Sequence, residues 1–169
     1  MEQFMTCDGR RPRQHPPGRV IPLVMDDDDG RPFSTWTVIV QEGVVGRSCL
    51  RLEYQPEIWA CPDKAGRVFA IIDSTDGDAQ AAVLDVSEWE RRLDIGELFV
   101  FPAYRRLGLA SALMDALYAY AARDGKTIVH SERSEEGEAW WAAYTAVRPA
   151  LPPSAFADGM GDIATLAFI

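Results

Sequence analysis

A chain of 169 residues, 47% hydrophobic and 25% charged, has the composition of one ordinary globular domain large enough to bury a core. Its formal net charge of −9 speaks against nucleic-acid binding, which needs a basic stripe, and leans toward cationic partners such as amines or basic peptides. No apolar run approaches the ~20 residues of a membrane-spanning helix, and Cys7, Cys49, Cys61, His15 and His130 have the spacing of neither a disulfide framework nor a metal site.

A cytoplasmic protein with no metal and no membrane partner is therefore the expectation. Arg10 to Arg13 is basic, but Pro16 and Pro17 stand where a secretory signal would be apolar. The acids Asp26 to Asp29 lack the alternate spacing of a calcium loop and read as a solvated turn. Residues 1–19 are rich in Pro, Arg and Gly and read as a flexible arm, leaving 20–169 as a single domain.

Val20 to Met25 is a strand interrupted by Pro22, and so belongs at a sheet edge. Thr35 to Val40 and Val44 to Tyr54 are rich in β-branched and aromatic residues and form a hairpin joined through Glu42-Gly43. Arg67 to Asp73 is a strand, Ser74 to Gln80 a polar turn, and Ala81 to Val86 a short strand that pairs back. Ser87 to Arg92 reads as a short helical turn or loop. Ile95 to Phe101 is an apolar strand stopped by Pro102.

Arg105 to Arg123 is a helix by periodicity. Ala110, Leu113, Met114, Leu117 and Ala121 recur at three- and four-residue steps, and Gly125 stands at the C-cap position. Thr127 to Ser131 is a strand. Ser134 is an N-cap followed by Glu135 and Glu136, and that helix must end near Arg148 because Pro149 follows. A last strand covers Ile163 to Ile169. Strand, helix, strand, helix, strand around one core implies an α/β or α+β sheet.

The segment that carries chemistry is Leu98-Phe99-Val100-Phe101-Pro102-Ala103-Tyr104-Arg105-Arg106-Leu107-Gly108-Leu109-Ala110. A strand ends at a proline, a short loop carries two arginines, and a helix begins around a glycine. The first turn of a helix offers free N–H groups and the positive end of its dipole, and arginine grips phosphate oxygens bidentately. The run V-x-P-x-Y-R-R-L-G-L-A resembles the acyl-CoA-binding motif of the GNAT superfamily of N-acyltransferases, Q/R-x-x-G-x-G/A. The likeness extends from about Ile95 to Val147.

The resemblance implies a mixed, mostly antiparallel sheet, splayed at the acyl-CoA site and flanked by helices. It implies direct transfer of an acetyl group from acetyl-CoA to an amine, without a metal or a covalent enzyme intermediate. By position, Leu98, Phe99 and Val100 would line the pantetheine arm. Arg105, Arg106, Gly108, Leu109 and Ala110 would cradle the pyrophosphate, with Ser111 behind them. The backbone N–H of Val100 would receive the developing oxyanion. Glu97, on the same strand, is the candidate general base, with Asp94 and Glu88 as runners-up. His130 and Ser131 face the cleft if the sheet splays.

Two departures stand out. The family usually places two helices between its first and second strands, and the interval from Met25 to Thr35 is too short for them. Either they are missing, or Pro56 to Arg92 replaces them in a different order. The family's tyrosine acid falls at Trp141, with Tyr144 one turn further on as the acid candidate, while Trp140, Tyr144 and Val147 share a packing face. These departures suit an alternative, an inert CoA-binding or interaction module. Exposed sheet edges are compatible with a homodimer. The G-x-G-x-x-A of Gly159 to Ala164 needs a βαβ unit after it, and the sequence runs on only to Ile169.

Overall fold

The structure, a computed structural model, describes residues 19–26, 29–56, 60–148, 154–157 and 163–166. Six strands rich in β-branched and aromatic residues form an antiparallel meander: β1 (Arg19–Asp26), β2 (Pro32–Val45), β3 (Ser48–Gln55), β4 (Ala65–Asp73), β5 (Ala79–Glu88) and β6 (Arg92–Val100). A 3₁₀ turn, Pro102–Tyr104, leads to helix α1 (Leu109–Asp124), then β7 (Thr127–His130), α2 (Glu135–Ala146), β8 (Ser154–Ala157) and β9 (Ile163–Leu166). The nine strands lie in chain order in one sheet. β7 pairs parallel with β6 and with β8, and β8 pairs antiparallel with β9. Parallel neighbours need crossovers, which α1 and α2 supply. The result is the mixed, mostly antiparallel α/β sheet that the resemblance implies.

Helix α1 lies on the sheet because one of its faces is apolar. Leu113, Met114, Leu117 and Ala121 are all buried, at the three- and four-residue spacing read from the sequence. They join Tyr54, Phe69, Ile71, Leu84, Val86 and Leu93 in one core. Fully burying a leucine such as Leu113 or Leu117 contributes about 1.5–3 kcal/mol. Gly125, at φ 63, closes the helix, its N–H donating to the Ala121 and Ala122 carbonyls. Ser134 caps α2 by accepting from the Gly137 N–H at 3.2 Å.

One end of the core is ionic. Glu88, 2% exposed, takes the Arg67 guanidinium, the Lys126 ammonium at 3.0 Å and the Tyr120 hydroxyl at 2.9 Å. Lys126 also donates to the carbonyls of Trp89 at 2.5 Å and Glu90 at 2.9 Å. This cluster fastens the end of α1 to the turn between β5 and β6.

Several expectations need correction. The β2–β3 turn lies at Gly46-Arg47, because Gly46 takes the left-handed φ of 61, while Gly43 pairs with Leu50 inside the ladder. Residues 87–92 are no helical turn. β5 runs through Glu88, and the Trp89 N–H donates to the Arg92 carbonyl at 2.9 Å across a tight connection. Helix α1 begins at Leu109 rather than Arg105, since Arg106 at φ 65 and Gly108 at φ 78 cannot enter a right-handed helix. Strand β8 is unforeseen.

The helix pair is missing among the described residues: β1 joins β2 as a hairpin, and the stretch after Pro56 supplies β4 and β5. Val147 is 72% exposed and does not share the buried packing expected of it with Tyr144. Of the expected arm, residues 1–18 lie outside the described residues and Arg19 opens β1. The G-x-G segment at 159–162 also lies outside them.

Candidate functional site

β6 is bound to β7 for only three residue pairs: Arg92 with Thr127, Leu93 with Ile128, and Asp94 with Val129. Beyond them β6 keeps its partner on the other side, from Glu97 opposite Asp85 to Val100 opposite Ala82. The change falls at a bulge. Val86 faces Ile95 and Asp85 faces Glu97, which leaves Gly96 as the extra residue. A bulge bends its strand and increases the local twist, so β6 turns away where β7 is about to end at His130. Between them opens a cleft of about 820 Å³.

The phase of the ladder decides which main-chain groups look into that opening. Phe101 donates its N–H to the Ala81 carbonyl at 3.0 Å. Antiparallel pairs alternate between bonded and non-bonded, so Phe99 is tied to β5, while Val100 and Leu98 turn their N–H and C=O groups outward. The Arg105 guanidinium reaches the Val100 carbonyl at 3.3 Å, on the open side. The side chains of Leu98 and Val100 pack against the core, whereas Phe99 and Phe101, each 37% exposed, form an edge-to-face pair at 5.1 Å.

The loop from Phe101 to Gly108 forms the end wall. Gly108 is the N-cap of α1, with no side-chain cap and no acid in the first turn, so among the described residues the N–H groups of Leu109, Ala110 and Ser111 have no side-chain acceptor. A Cβ built on Gly108 meets nothing within 4 Å, so its glycine answers to the φ of 78 and not to crowding by the protein. Arg106, left-handed without being glycine, costs about 1–2 kcal/mol of backbone strain. The loop is held by Tyr104, whose N–H donates to the Phe101 carbonyl at 2.9 Å and whose hydroxyl donates to Asp73 at 3.1 Å.

The facing wall comes from the end of β7 and the start of α2, and includes His130, Ser131, Glu132, Glu136, Trp140 and Trp141. His130 is 3% exposed, with its ring 4.4 Å from that of Trp141. Burial first, and the Arg133 charge second, push the imidazole down to about 4, so it is neutral at physiological pH. Arg133 is engaged with Glu138 at 3.1 Å and lies over Trp141 at 5.0 Å.

Glu97 and all the residues from Leu98 to Ser111 singled out in the sequence line this cleft. Tyr144 does not. Its hydroxyl donates to Asp115 on α1 at 2.8 Å, and Arg148 grips the same carboxylate at 2.8 Å. Burial, then that hydrogen bond, raise the tyrosine above its ordinary value. Tyr144 therefore ties α2 to α1.

The runner-up bases are also occupied. Glu88 sits in the ionic cluster, and Asp94 accepts from the Trp89 indole at 2.7 Å and pairs with Arg92 at 3.0 Å. Asp85, opposite Glu97, is pushed up by burial and by the Glu97 charge. Sequence reasoning missed Asp73 as the loop's anchor, because a contact spanning 31 residues leaves no local pattern. It also missed Ile95 and Met114 as cleft-lining residues. Among the described residues no group of His, Cys, Asp and Glu is placed to hold a metal ion, and no helix is long and apolar enough to cross a membrane.

The sheet parts beside the uncapped start of α1, and the loop between them carries two arginines, so strand main chain, helix amides and guanidiniums share one cleft of this α/β domain. The chain belongs to the acetyltransferase (GNAT) family, whose model matches residues 3–146. No curated protein and no solved structure matches it. Membership gives the general function, an acetyltransferase-type activity.

Proposed function

We propose that the protein is an N-acetyltransferase that moves an acetyl group from acetyl-CoA directly to a primary amine of a small molecule or a basic peptide. The observation that carries this reading is the parting of β6 from β7 beyond Asp94 and Val129, next to the uncapped start of α1. A pantetheine arm is an extended chain with amide donors and acceptors. The outward main-chain groups of Leu98 and Val100 suit it as a missing strand neighbour, with Phe99 alongside. The N–H groups of Leu109, Ala110 and Ser111, the exposed Gly108, and the guanidiniums of Arg105 and Arg106 suit a pyrophosphate.

The reaction requires a neutral amine, although an alkylammonium has a pKa near ~10.4. Glu97, exposed in the cleft and free of hydrogen-bonded partners among the described residues, takes the ammonium proton directly or through water. The nitrogen lone pair bonds to the thioester carbon, the N–H of Val100 receives the oxyanion, and the C–S electron pair leaves with sulfur. The second nitrogen proton neutralises the thiolate. An acidic protein with carboxylates at Glu97, Glu132 and Glu136 on the cleft favours cationic acceptors.

Calorimetric titration with acetyl-CoA, desulfo-CoA and pyrophosphate tests the site. Micromolar binding that requires the pantetheine arm is expected. Binding of pyrophosphate alone, or no binding, would overturn the reading.

A further inference from the structure

We propose that Tyr104 and Asp73 form a strut that sets the conformation of the acyl-CoA loop, making Tyr104 a positioning residue for acyl-CoA although it does not line the cleft. This rests on the acetyl-CoA reading above. The loop has little of its own to hold it. Arg106 and Gly108 both take left-handed φ, α1 has no side-chain cap, and the bonds from the Tyr104 and Arg105 N–H groups return to Phe101 and Pro102 within the same turn. Among the described residues the Arg105 guanidinium likewise reaches no further than Val100. Among the described residues, the Tyr104 hydroxyl is the loop's side-chain hydrogen bond to a distant strand.

The other end of that bond is fixed. Asp73, 3% exposed, ends β4 and accepts the Thr75 N–H at 2.9 Å, besides the hydroxyls of Ser48, Thr75 and Tyr104. Thr75 in turn accepts the Cys49 N–H at 2.7 Å, and Ser74 donates its N–H and its hydroxyl to the Cys49 carbonyl at 3.0 and 2.9 Å. Burial alone would raise the Asp73 carboxyl, but these donors hold it below the usual carboxylate range. It stays ionised at assay pH, and the Tyr104 bond is charge-assisted. A carboxylate filled with donors cannot swing, so the strut adds the rigidity of β3 and β4 to a loop whose other ties to the sheet are the Phe101 N–H on the Ala81 carbonyl and the packing of the Tyr104 ring. A loop already in its bound conformation spares the ligand the cost of ordering it.

The test is calorimetry with acetyl-CoA and desulfo-CoA on Tyr104→Phe, Asp73→Asn and the double variant. Phenylalanine keeps the ring, which packs against the core, and removes only the hydroxyl. Each single variant should weaken both ligands by about tenfold, the scale of one charge-assisted hydrogen bond. The double variant should be no weaker than Asp73→Asn, because one interaction is being removed. In turnover with an accepted amine the loss should fall on KM for acetyl-CoA, with kcat changed by less than about twofold. Amide exchange should quicken at 104–110 while β4 stays protected. Tyr104→Phe with unchanged affinity, in a protein that binds acetyl-CoA, overturns the strut alone. A wild-type chain that takes up no acetyl-CoA overturns both readings. If Tyr104→Phe does not fold, Asp73→Asn decides by the same affinities.

Discussion

Asp94 and Val129 are the last residues to pair β6 with β7, and two residues along β6 the unpaired Gly96 forms its bulge against β5. The two strands part because one of them gains twist where the other is about to stop. From that point Leu98 and Val100 present main chain that no strand satisfies among the described residues, at the mouth of a helix that has no side-chain cap there. The proposed acetyl-CoA, an extended ligand with a pyrophosphate at one end, would meet both needs at once.

Gly108 should tolerate substitution in the fold far better than in the site. Gly108→Val places a β-branched residue at φ 78 but meets no neighbour, so its cost in stability is expected to be about 1–2 kcal/mol. Acetyl-CoA affinity should fall by at least about tenfold, as the side chain covers the amides of Leu109 and Ala110. Calorimetry and thermal unfolding separate the two effects. Unchanged affinity would sink the assignment of this loop.

Glu97→Gln should leave the acetyl-CoA Kd unaltered and slow turnover by about 10²-fold, the usual scale for a proton acceptor. Steady-state rates against a panel of amines, with the Kd measured in parallel, decide it. Wild-type turnover in the variant would move the base elsewhere on the cleft.

His130 predicts a pH dependence of stability. Its folded value, about 4, lies below the ordinary histidine value of 6.5, so the unfolded chain binds a proton that the folded chain refuses. Its contribution is fully present above pH 6.5 and is lost as the pH falls toward 4, by about 3 kcal/mol at most. Denaturant unfolding at pH 7, 5.5 and 4 should show His130→Gln to be less acid-sensitive than wild type. Equal slopes would show that the imidazole is not buried in its neutral form.

Glu88→Gln should be among the most destabilising changes at a single side chain. It leaves Arg67 and Lys126 buried opposite an uncharged amide, at a cost of about 3–5 kcal/mol. Burial alone would raise the Glu88 carboxyl, but the Arg67 and Lys126 charges and the Tyr120 hydroxyl hold it below its ordinary value. Its contribution is therefore present above the ordinary glutamate value and is lost as acid protonates the folded state. Thermal unfolding at pH 7 measures the loss, and a change under about 1 kcal/mol would mean that the cluster is solvated.

The amino-acid sequence by itself determined what depends on near neighbours. The apolar spacing of Leu113, Met114, Leu117 and Ala121 fixes α1, Gly125 closes it, Ser134 opens α2, and Pro102 ends the strand before the loop. The arginines and glycine of Arg105 to Ala110 mark the loop and the start of α1, because a helix start is a local object. The short interval between Met25 and Thr35 rules out helices there by arithmetic alone. Only the tertiary structure decided the rest. Glu88 became the centre of a buried ion cluster, Tyr144 gave its hydroxyl to Asp115, and Asp73 was brought beneath Tyr104. Each of these bonds joins residues at least 21 positions apart. Local propensity sets where a strand or helix begins, but the partner of a buried polar group is chosen by the register and packing of the whole sheet.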